Sequence, residues 1–440
     1  MKGFADYIKN QLPFWPTWIN SFLLKLNILG PYSYGLAYVK FKKGIKEIDE
    51  REKLLEIVRF AIAYVPYYRK KYKDVRINNI DDFKSKIAFI DKDEVMSHWE
   101  DFLADGIDIK KMNVCTTGGT SGKALKIVQP RSRYVWELAF MHTIWQSCGW
   151  NYNIRAVIRN HHLGGRDYII NPITKEVIFD AFNTSDSYYR LIYEVINKYK
   201  ISYIHSYPSA AFLFCKKMLS AGLDISFINA FICGSEGITE VQNVFFKKHN
   251  IKICTWYGHS EKLILAGKDE KQGFFTPQKG YGFAEIIDDS DTGYGEMVGT
   301  TLYNNVFPLI RYKTGDWAYY HNDKNGNIEI EKIIGRWNKS IIYKIDGTYT
   351  TITALNLHGD FYDHINGMQY VQEVIGYLKV LIIKNDSFTN SDDLFIREHL
   401  AEAMGGVQYV SVKYTNKLIF QANGKFLPLI SKVRKTPNDI

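Results

Sequence analysis

Eight consecutive residues, Thr116-Thr117-Gly118-Gly119-Thr120-Ser121-Gly122-Lys123, combine three glycines, three threonines, a serine and a lysine. Glycine admits positive φ and lets the main chain approach a ligand closely. Successive turn amides and hydroxyls donate to anionic oxygens. The chemistry this favours is the cradling of a phosphate. A Walker A loop is excluded by spacing. It needs a glycine five positions before its last glycine and a Ser or Thr after its lysine, whereas Thr117 and Ala124 stand there. The flanks, Lys111-Met112-Asn113-Val114-Cys115 and Leu125-Lys126-Ile127-Val128-Gln129-Pro130, read as strands, so the loop joins two strands. A flexible Gly-Thr hairpin with no ligand has the same composition.

Five further segments carry chemistry-bearing residues at strand ends or turns: Gly234-Ser235-Glu236, Tyr257-Gly258-His259-Ser260-Glu261, Tyr312-Lys313-Thr314-Gly315-Asp316, Gly335-Arg336-Trp337-Asn338-Lys339 and Gly424-Lys425. The carboxyl ends of parallel strands are where α/β proteins place ligands. A second glycine-rich stretch, His161-His162-Leu163-Gly164-Gly165-Arg166, offers His161 or Arg166 as readers of an acidic substrate. His205 and His259 lie near the same strand ends. Histidines in loops are also commonly plain polar residues.

The elements that must hold these residues can be read from periodicity. Apolar positions recur at helical spacing from Lys53 to Lys73, with a break at Pro66. Helices are expected over Tyr134–Gln146, Pro208–Leu219 and Glu240–His249, and strands over Phe227–Cys233 and Ile251–Trp256. This alternation predicts α/β layers with a largely parallel sheet. From about Gly280 short strands follow one another: Tyr281–Ile287, Gly295–Leu302, Leu309–Tyr312, Ala318–His321 and Ile328–Ile334. They predict a mainly antiparallel β unit. Past Arg336 a strand (Tyr377–Ile383), a helix (Ser391–Met404) and a strand (Val407–Tyr414) predict a small α+β domain.

The net charge of +9 is scattered rather than gathered in a stripe, which argues against a nucleic-acid face and suits anionic cofactors or an anionic membrane surface. The five cysteines have no CxxC spacing and an odd count, so reduced thiols are expected and the cytoplasm is the expected location. No signal peptide or spanning helix is legible. Trp15, Trp18, Ile19, Phe22, Leu23 and Leu26 recur at helical spacing beside Lys25. We read a helix packed on its own domain; an interfacial membrane helix has the same pattern and leaves peripheral membrane contact open.

The order and spacing of these motifs resemble the adenylate-forming superfamily: acyl-CoA synthetases, peptide-synthetase adenylation domains and luciferases. Pro308-Leu309-Ile310-Arg311-Tyr312 running into Thr314-Gly315-Asp316 resembles the phenylacetate–CoA ligase branch and its capsule-biosynthesis CapK-like members. The resemblance covers roughly residues 50 to 432. It implies an α/β fold with a large N-terminal domain (layered α/β sheets plus a β-barrel-like unit) and a small mobile α+β C-terminal domain. The expected boundaries are 1–50 for an N-terminal helical extension, 51–335 for the large domain and 336–440 for the lid.

The resemblance also implies roles. Thr117, Gly118, Gly119, Thr120, Ser121, Gly122 and Lys123 would cradle ATP phosphates. Gly234, Ser235 and Glu236 would edge the adenine, and Tyr257, followed by Gly258, would stack on it. Ser260 would contact phosphate, Glu261 would hold Mg²⁺, Asp316 the ribose hydroxyls, and Arg336 ribose or phosphate. Lys425 would act in adenylation, with Lys417 and Lys432 as nearby alternatives. The implied reaction is adenylation of a small-molecule carboxylate, with acyl transfer to CoA or to a sugar amine or hydroxyl in surface-polysaccharide synthesis. An adenylyltransferase without a thioester step and a non-catalytic nucleotide-binding scaffold are the alternatives. Trp337-Asn338 departs from the usual acidic hinge pair, and Ala124 from a common proline.

Overall fold

A computed structural model describes residues 12–25, 30–117, 125–159, 163–181, 183, 185–238, 240–268, 273–288, 292–334, 341–346, 348–352, 355, 361, 364–404, 409–419 and 429–433. The chain forms two compact units. One comprises Met1–Leu36, Trp145–Thr255 and Lys339–Ile440; the other comprises Ala37–Ile144 and Trp256–Asn338.

The first unit is built on parallel strands. Arg155–Arg159 lies between Glu176–Asp180 and Tyr203–Ser206; Ala230–Cys233 and the start of Ile253–Gly258 continue the layer. Ile169–Asn171 adds an antiparallel edge. The strands are short and almost wholly apolar inside, as expected where helices cover a parallel sheet. Asp186–Lys198 is one such helix. Ser185 caps it, accepting from the Tyr188 N–H, and Tyr188, Tyr189, Ile192, Val195 and Ile196 form its buried stripe. Pro208–Ser220 begins with proline at its first turn, where no intrahelical N–H is lost.

The C-terminal strands Tyr409–Tyr414, Tyr377–Lys384, Ile365–Val374 and Leu429–Ser431 make a four-stranded sheet in that order, with the helix Asn390–Ala403. Leu378, Val380 and Leu400 belong to the same hydrophobic core as Ile204, Phe214 and Phe231.

Among the described residues, the N-terminal helix, Thr17–Lys25, is fastened to the first unit through Asn20, Ser21 and Leu24. Leu24 is fully buried, Asn20 Nδ2 donates to the Leu12 carbonyl at 2.8 Å, and Ser21 Oγ meets Tyr199 Oη at 2.6 Å. The other side leaves Trp18 74% and Phe22 62% exposed. Of the apolar positions read from the sequence, Trp15, Trp18 and Phe22 are exposed, Ile19 and Leu23 are half-buried, and Leu26 lies outside the described residues; the buried side is made by Asn20 and Leu24.

The second unit carries the glycine-rich hairpin. Asn113–Thr116 pairs antiparallel with Lys126–Gln129, so the loop does join two strands. Gly282–Ile287, Tyr294–Thr301, Tyr312–Asn322 and Ile328–Ile334 form an antiparallel meander. Leu309–Tyr312 and Ala318–His321, expected as separate strands, are not. A single strand runs from Tyr312 to Asn322. The Gly315 φ of +72° lets Thr314–Asp316 bulge opposite Met297 without ending the ladder, and pairing resumes from Lys313↔Val298 to Trp317↔Glu296. Glu50–Tyr64 and Pro66–Tyr72 flank the expected break at Pro66.

The expectation of reduced thiols is corrected for two residues. Cys148 and Cys254 form a disulfide across 106 residues, while Cys115, Cys215 and Cys233 are free. The pairing comes from a helix end meeting a strand start, which local spacing cannot reveal. Among the described residues no helix is long and apolar enough to cross a membrane.

Candidate active site

In the second unit, Thr117 closes the neck of the glycine-rich loop. Its N–H donates to the Leu125 carbonyl and its Oγ1 accepts from the Leu125 N–H, both at 2.9 Å. Gly118, Gly119, Thr120, Ser121, Gly122 and Lys123 lie outside the described residues.

The turn after Ile253–Gly258 carries His259, Ser260 and Glu261. The Ser260 carbonyl accepts from Gln129 Nε2 at 3.3 Å and from Cys115 Sγ at 3.9 Å. Both donors stand on the hairpin, so the stem of the glycine-rich loop and the Tyr257–Glu261 turn are tied together. Gly282 permits this turn to lie close: a Cβ there would come 1.9 Å from the Leu263 carbonyl oxygen. Gly258 ends its strand opposite Leu265.

Tyr257 is 1% exposed and its hydroxyl donates to Asp316 Oδ2 at 2.9 Å. Burial, then the neighbouring carboxylate, holds its pKa well above the ordinary phenol value, so it remains a neutral donor. Asp316 is itself buried. Its N–H donates to Thr314 Oγ1 at 3.1 Å, and that hydroxyl donates to the Met297 carbonyl at 2.8 Å. The bulge thus aims one carboxylate with its backbone already satisfied.

His259 Nε2 accepts from the Ile264 N–H at 3.3 Å, which leaves the proton on Nδ1 to donate to Glu261 Oε2 at 3.0 Å. Glu261 is buried, and Lys262 and Arg133 both pair with Glu137 close by. Burial raises the Cys115 thiol pKa, and Lys262 and Arg133 oppose that rise. Arg311 was not singled out by sequence as a charge with a role. Its fork holds Glu285 through Nε at 3.1 Å and Nη2 at 2.9 Å, and Nη1 reaches the Lys84 and Ile87 carbonyls at 2.7 Å each. The guanidinium lies 3.9 Å from the Phe89 ring centroid.

In the first unit, Gly234, Ser235 and Glu236 follow Ala230–Cys233. Ser235 takes φ +70°. Glu236 Oε2 accepts from the Ser209 N–H at 3.2 Å, in the first turn of Pro208–Ser220, where a helix favours negative charge. Arg159, at the end of its strand, was missed. Its Nη2 donates to Ser235 Oγ at 2.9 Å, its Nη1 to His205 Nε2 at 3.1 Å, and it lies 4.8 Å from the Tyr207 ring centroid. No carboxylate among the described residues pairs with it. The signal available was an arginine closing the apolar run Ala156-Val157-Ile158 just before the double-histidine loop. Arg166, by contrast, faces the N-terminal segment: Nη2 donates to the Phe14 carbonyl at 2.7 Å. His161, Arg336 and Lys425 lie outside the described residues.

For Mg²⁺, the described residues hold no cluster of three or more His, Cys, Asp or Glu side chains. Mg²⁺ is commonly held by one or two carboxylates together with substrate phosphates, and a lone buried Glu261 fits that arrangement.

This architecture is the fold of the adenylate-forming acyl-CoA ligases. The chain superposes on 2-hydroxyisobutyryl-CoA ligase, solved with 2-HIB-AMP and CoA in the thioesterification state, with TM-score 0.55 and 14% identity, covering 91% of both chains. The post-adenylation structure of that enzyme with R3-HIB-AMP gives TM-score 0.52 and 13% identity over 91% of this chain and 92% of the other. In sequence the chain is similar to Protein CapK of Staphylococcus aureus, at 21% identity over 436 residues, covering 91% of this chain and 95% of CapK. No family model matches the chain.

Proposed function

We propose that this protein is an ATP-dependent ligase that activates a carboxylic acid as its acyl-adenylate and passes the acyl group to an acceptor. The observation that carries the reading is the joining, in one unit, of the glycine-rich hairpin to the Tyr257–Glu261 turn through the Ser260 carbonyl, with Tyr257 holding Asp316. The fold shared with acyl-CoA ligases supports it.

The chemistry asked of such a site is the attack of one anion on another. Fixed donors and cations must offset that repulsion, and positioning supplies much of the rest. Thr117 to Lys123 would hold the triphosphate, and Asp316, oriented by Tyr257, would accept the ribose hydroxyls. Ser260 would add a phosphate contact, and Gly234 to Glu236 would edge the base. Glu261 would hold Mg²⁺, which supplies charge neutralisation at the phosphates when bound. His259 aims Glu261 by donating from Nδ1 to its Oε2. Lys425 and Arg336, in the C-terminal part 336–440, would complete the site during adenylation.

We assign Arg159 to the acid. A guanidinium held by an imidazole nitrogen and a hydroxyl keeps its charge for an anionic ligand. CoA is the acceptor in the neighbouring ligase structures, and the CapK-like resemblance suggests a sugar amine or hydroxyl in surface-polysaccharide synthesis.

Pyrophosphate release should be measured across aryl, acyl, amino and uronic acids, each with and without CoA. Release that depends on one acid class is the expected result, and stimulation by CoA assigns the acceptor. Uniform background release with every acid, alongside retained ATP binding, would make the protein a nucleotide-binding scaffold instead.

A further inference from the structure

At the carboxyl end of the parallel layer, wholly within the first unit, Arg159 is a half-buried cation with no carboxylate paired to it among the described residues. Its Nη1 donates to His205 Nε2 at 3.1 Å, its Nη2 donates to Ser235 Oγ at 2.9 Å, and the guanidinium lies 4.8 Å from the Tyr207 ring centroid. Arginine only donates, so His205 is the neutral imidazole with its proton on Nδ1, and Ser235 keeps its own hydroxyl proton to give. Ser235 takes this position at φ +70°, a region that serine seldom occupies. Main-chain strain of that kind persists where a side chain must be aimed.

The acids beside it are turned to other partners. Glu236 Oε2 accepts from the Ser209 N–H, and the Asp180 carboxylate interacts with Lys344. A guanidinium steadied by two neutral groups at strand ends keeps its attraction for an anion. A remaining guanidinium N–H together with the Ser235 O–H suits the two oxygens of a carboxylate.

Which carboxylate it takes follows from the chemistry of the proposed function, on which this inference rests. Adenylation converts the reacting carboxylate into a mixed anhydride: its oxygen bonds to the α-phosphorus, pyrophosphate leaves, and the carboxylate charge is lost. A guanidinium paired with that group would stabilise the free acid and lose its partner as the bond forms, which raises the barrier. A second carboxylate on the same molecule keeps its charge throughout, so the pairing favours ground state and transition state alike. We propose that the acid is a dicarboxylate, with one carboxylate activated and the other held by Arg159 and Ser235.

The experiment measures pyrophosphate release and, separately, calorimetric binding without ATP, for the full-length chain with matched acids: succinate and butyrate, adipate and hexanoate, terephthalate and para-toluate. In wild type at least one dicarboxylate is expected to show KM and Kd roughly tenfold or more below its monoacid, the size of a charge-assisted hydrogen bond. Arg159→Met should erase that difference by weakening the dicarboxylate alone, with kcat and the melting curve near those of wild type. Arg159→Lys should restore part of it, since it keeps the charge without the fork. The proposal is overturned if every monoacid binds as tightly as its dicarboxylate, or if Arg159→Met weakens both members of a pair equally. It is also overturned if that variant raises KM for ATP or CoA instead of the acid. Selective binding of a dicarboxylate with no release from any acid would support the anion site and remove the ligase reading.

Discussion

Two arginines four residues apart on one strand have opposite surroundings. At the amino end, Arg155 is 4% exposed, pairs with Glu176, its register partner on the next parallel strand, and lies 4.9 Å and 5.5 Å from the ring centroids of Trp145 and Trp150. At the carboxyl end, Arg159 meets a histidine nitrogen, a hydroxyl and an aromatic face, and no carboxylate among the described residues. Its own register partner, Asp180, sits in the electrostatic environment of Lys344 and Tyr189 instead. One end of the layer is neutralised for stability, and the other keeps a charge in reserve. The second unit repeats the contrast within five residues: Arg311 is saturated by Glu285 and two carbonyls, while Asp316 is oriented by Tyr257 at the tip of a bulge.

The sharpest test is to remove the counter-charge at the neutralised end. Glu176→Gln leaves a buried guanidinium without its carboxylate and should cost about 3 kcal/mol in denaturant unfolding. Arg159→Met should cost under about 1 kcal/mol in the same assay, because no ion pair is broken. Equal losses would dissolve the contrast.

Asp316→Ala should cut pyrophosphate release about 100-fold, a loss of the size that misplacing a reacting group produces. Tyr257→Phe, which removes only the aiming hydroxyl, should cost less, about tenfold, with little change in melting temperature. Arg159→Met should raise KM for the acid about tenfold with kcat nearly unchanged, the pattern of lost uniform binding. A fall in kcat at constant KM would place Arg159 in the chemical step rather than in binding.

Much of this arrangement was legible in the residues. Pro66 marked the helix break, the hairpin around Gly118–Gly122 was set by its two flanking strands, and the helix over Tyr134–Gln146 is found at Arg133–Ser147. These are local signals: a missing N–H, a period, a turn composition. What escaped was non-local. The Cys148–Cys254 bond joins positions 106 residues apart, and Arg159 gains meaning only beside Ser235 and His205. Arg166 stood in a glycine-rich loop as Arg159 did not, yet tertiary contact directs it to Pro13 and Phe14. The strand Tyr312–Asn322 was divided because a glycine inside a strand pattern reads as an end, whereas here it makes a bulge.

Lys42 gives the smallest and most diagnostic effect. It too is a partly buried cation whose acceptors among the described residues are neutral, but it lies against a helix rather than at a strand's carboxyl end. Burial lowers its pKa to about 8 from the ordinary 10.5. Between those values the unfolded chain binds the proton more tightly, so this group makes stability rise with pH across that window. Lys42→Met should remove the rise. The buried thiols pull the other way in both proteins, so the difference between wild type and variant isolates the lysine. The variant should leave KM for the acid unchanged. A KM shift equal to that of Arg159→Met would mean that any buried cation does the same.

Arg311 holds φ at +52°, a conformation in which a side chain is sterically unwelcome, while its guanidinium joins three separate stretches of chain. Glycine would relax the main chain and strand Glu285 in the interior; lysine would keep the charge and forfeit the two-pronged grip. No single substitution answers both demands at once. That part of the protein is therefore walled off from gradual change, and sequence drift around the Thr314–Asp316 bulge must proceed by altering its neighbours.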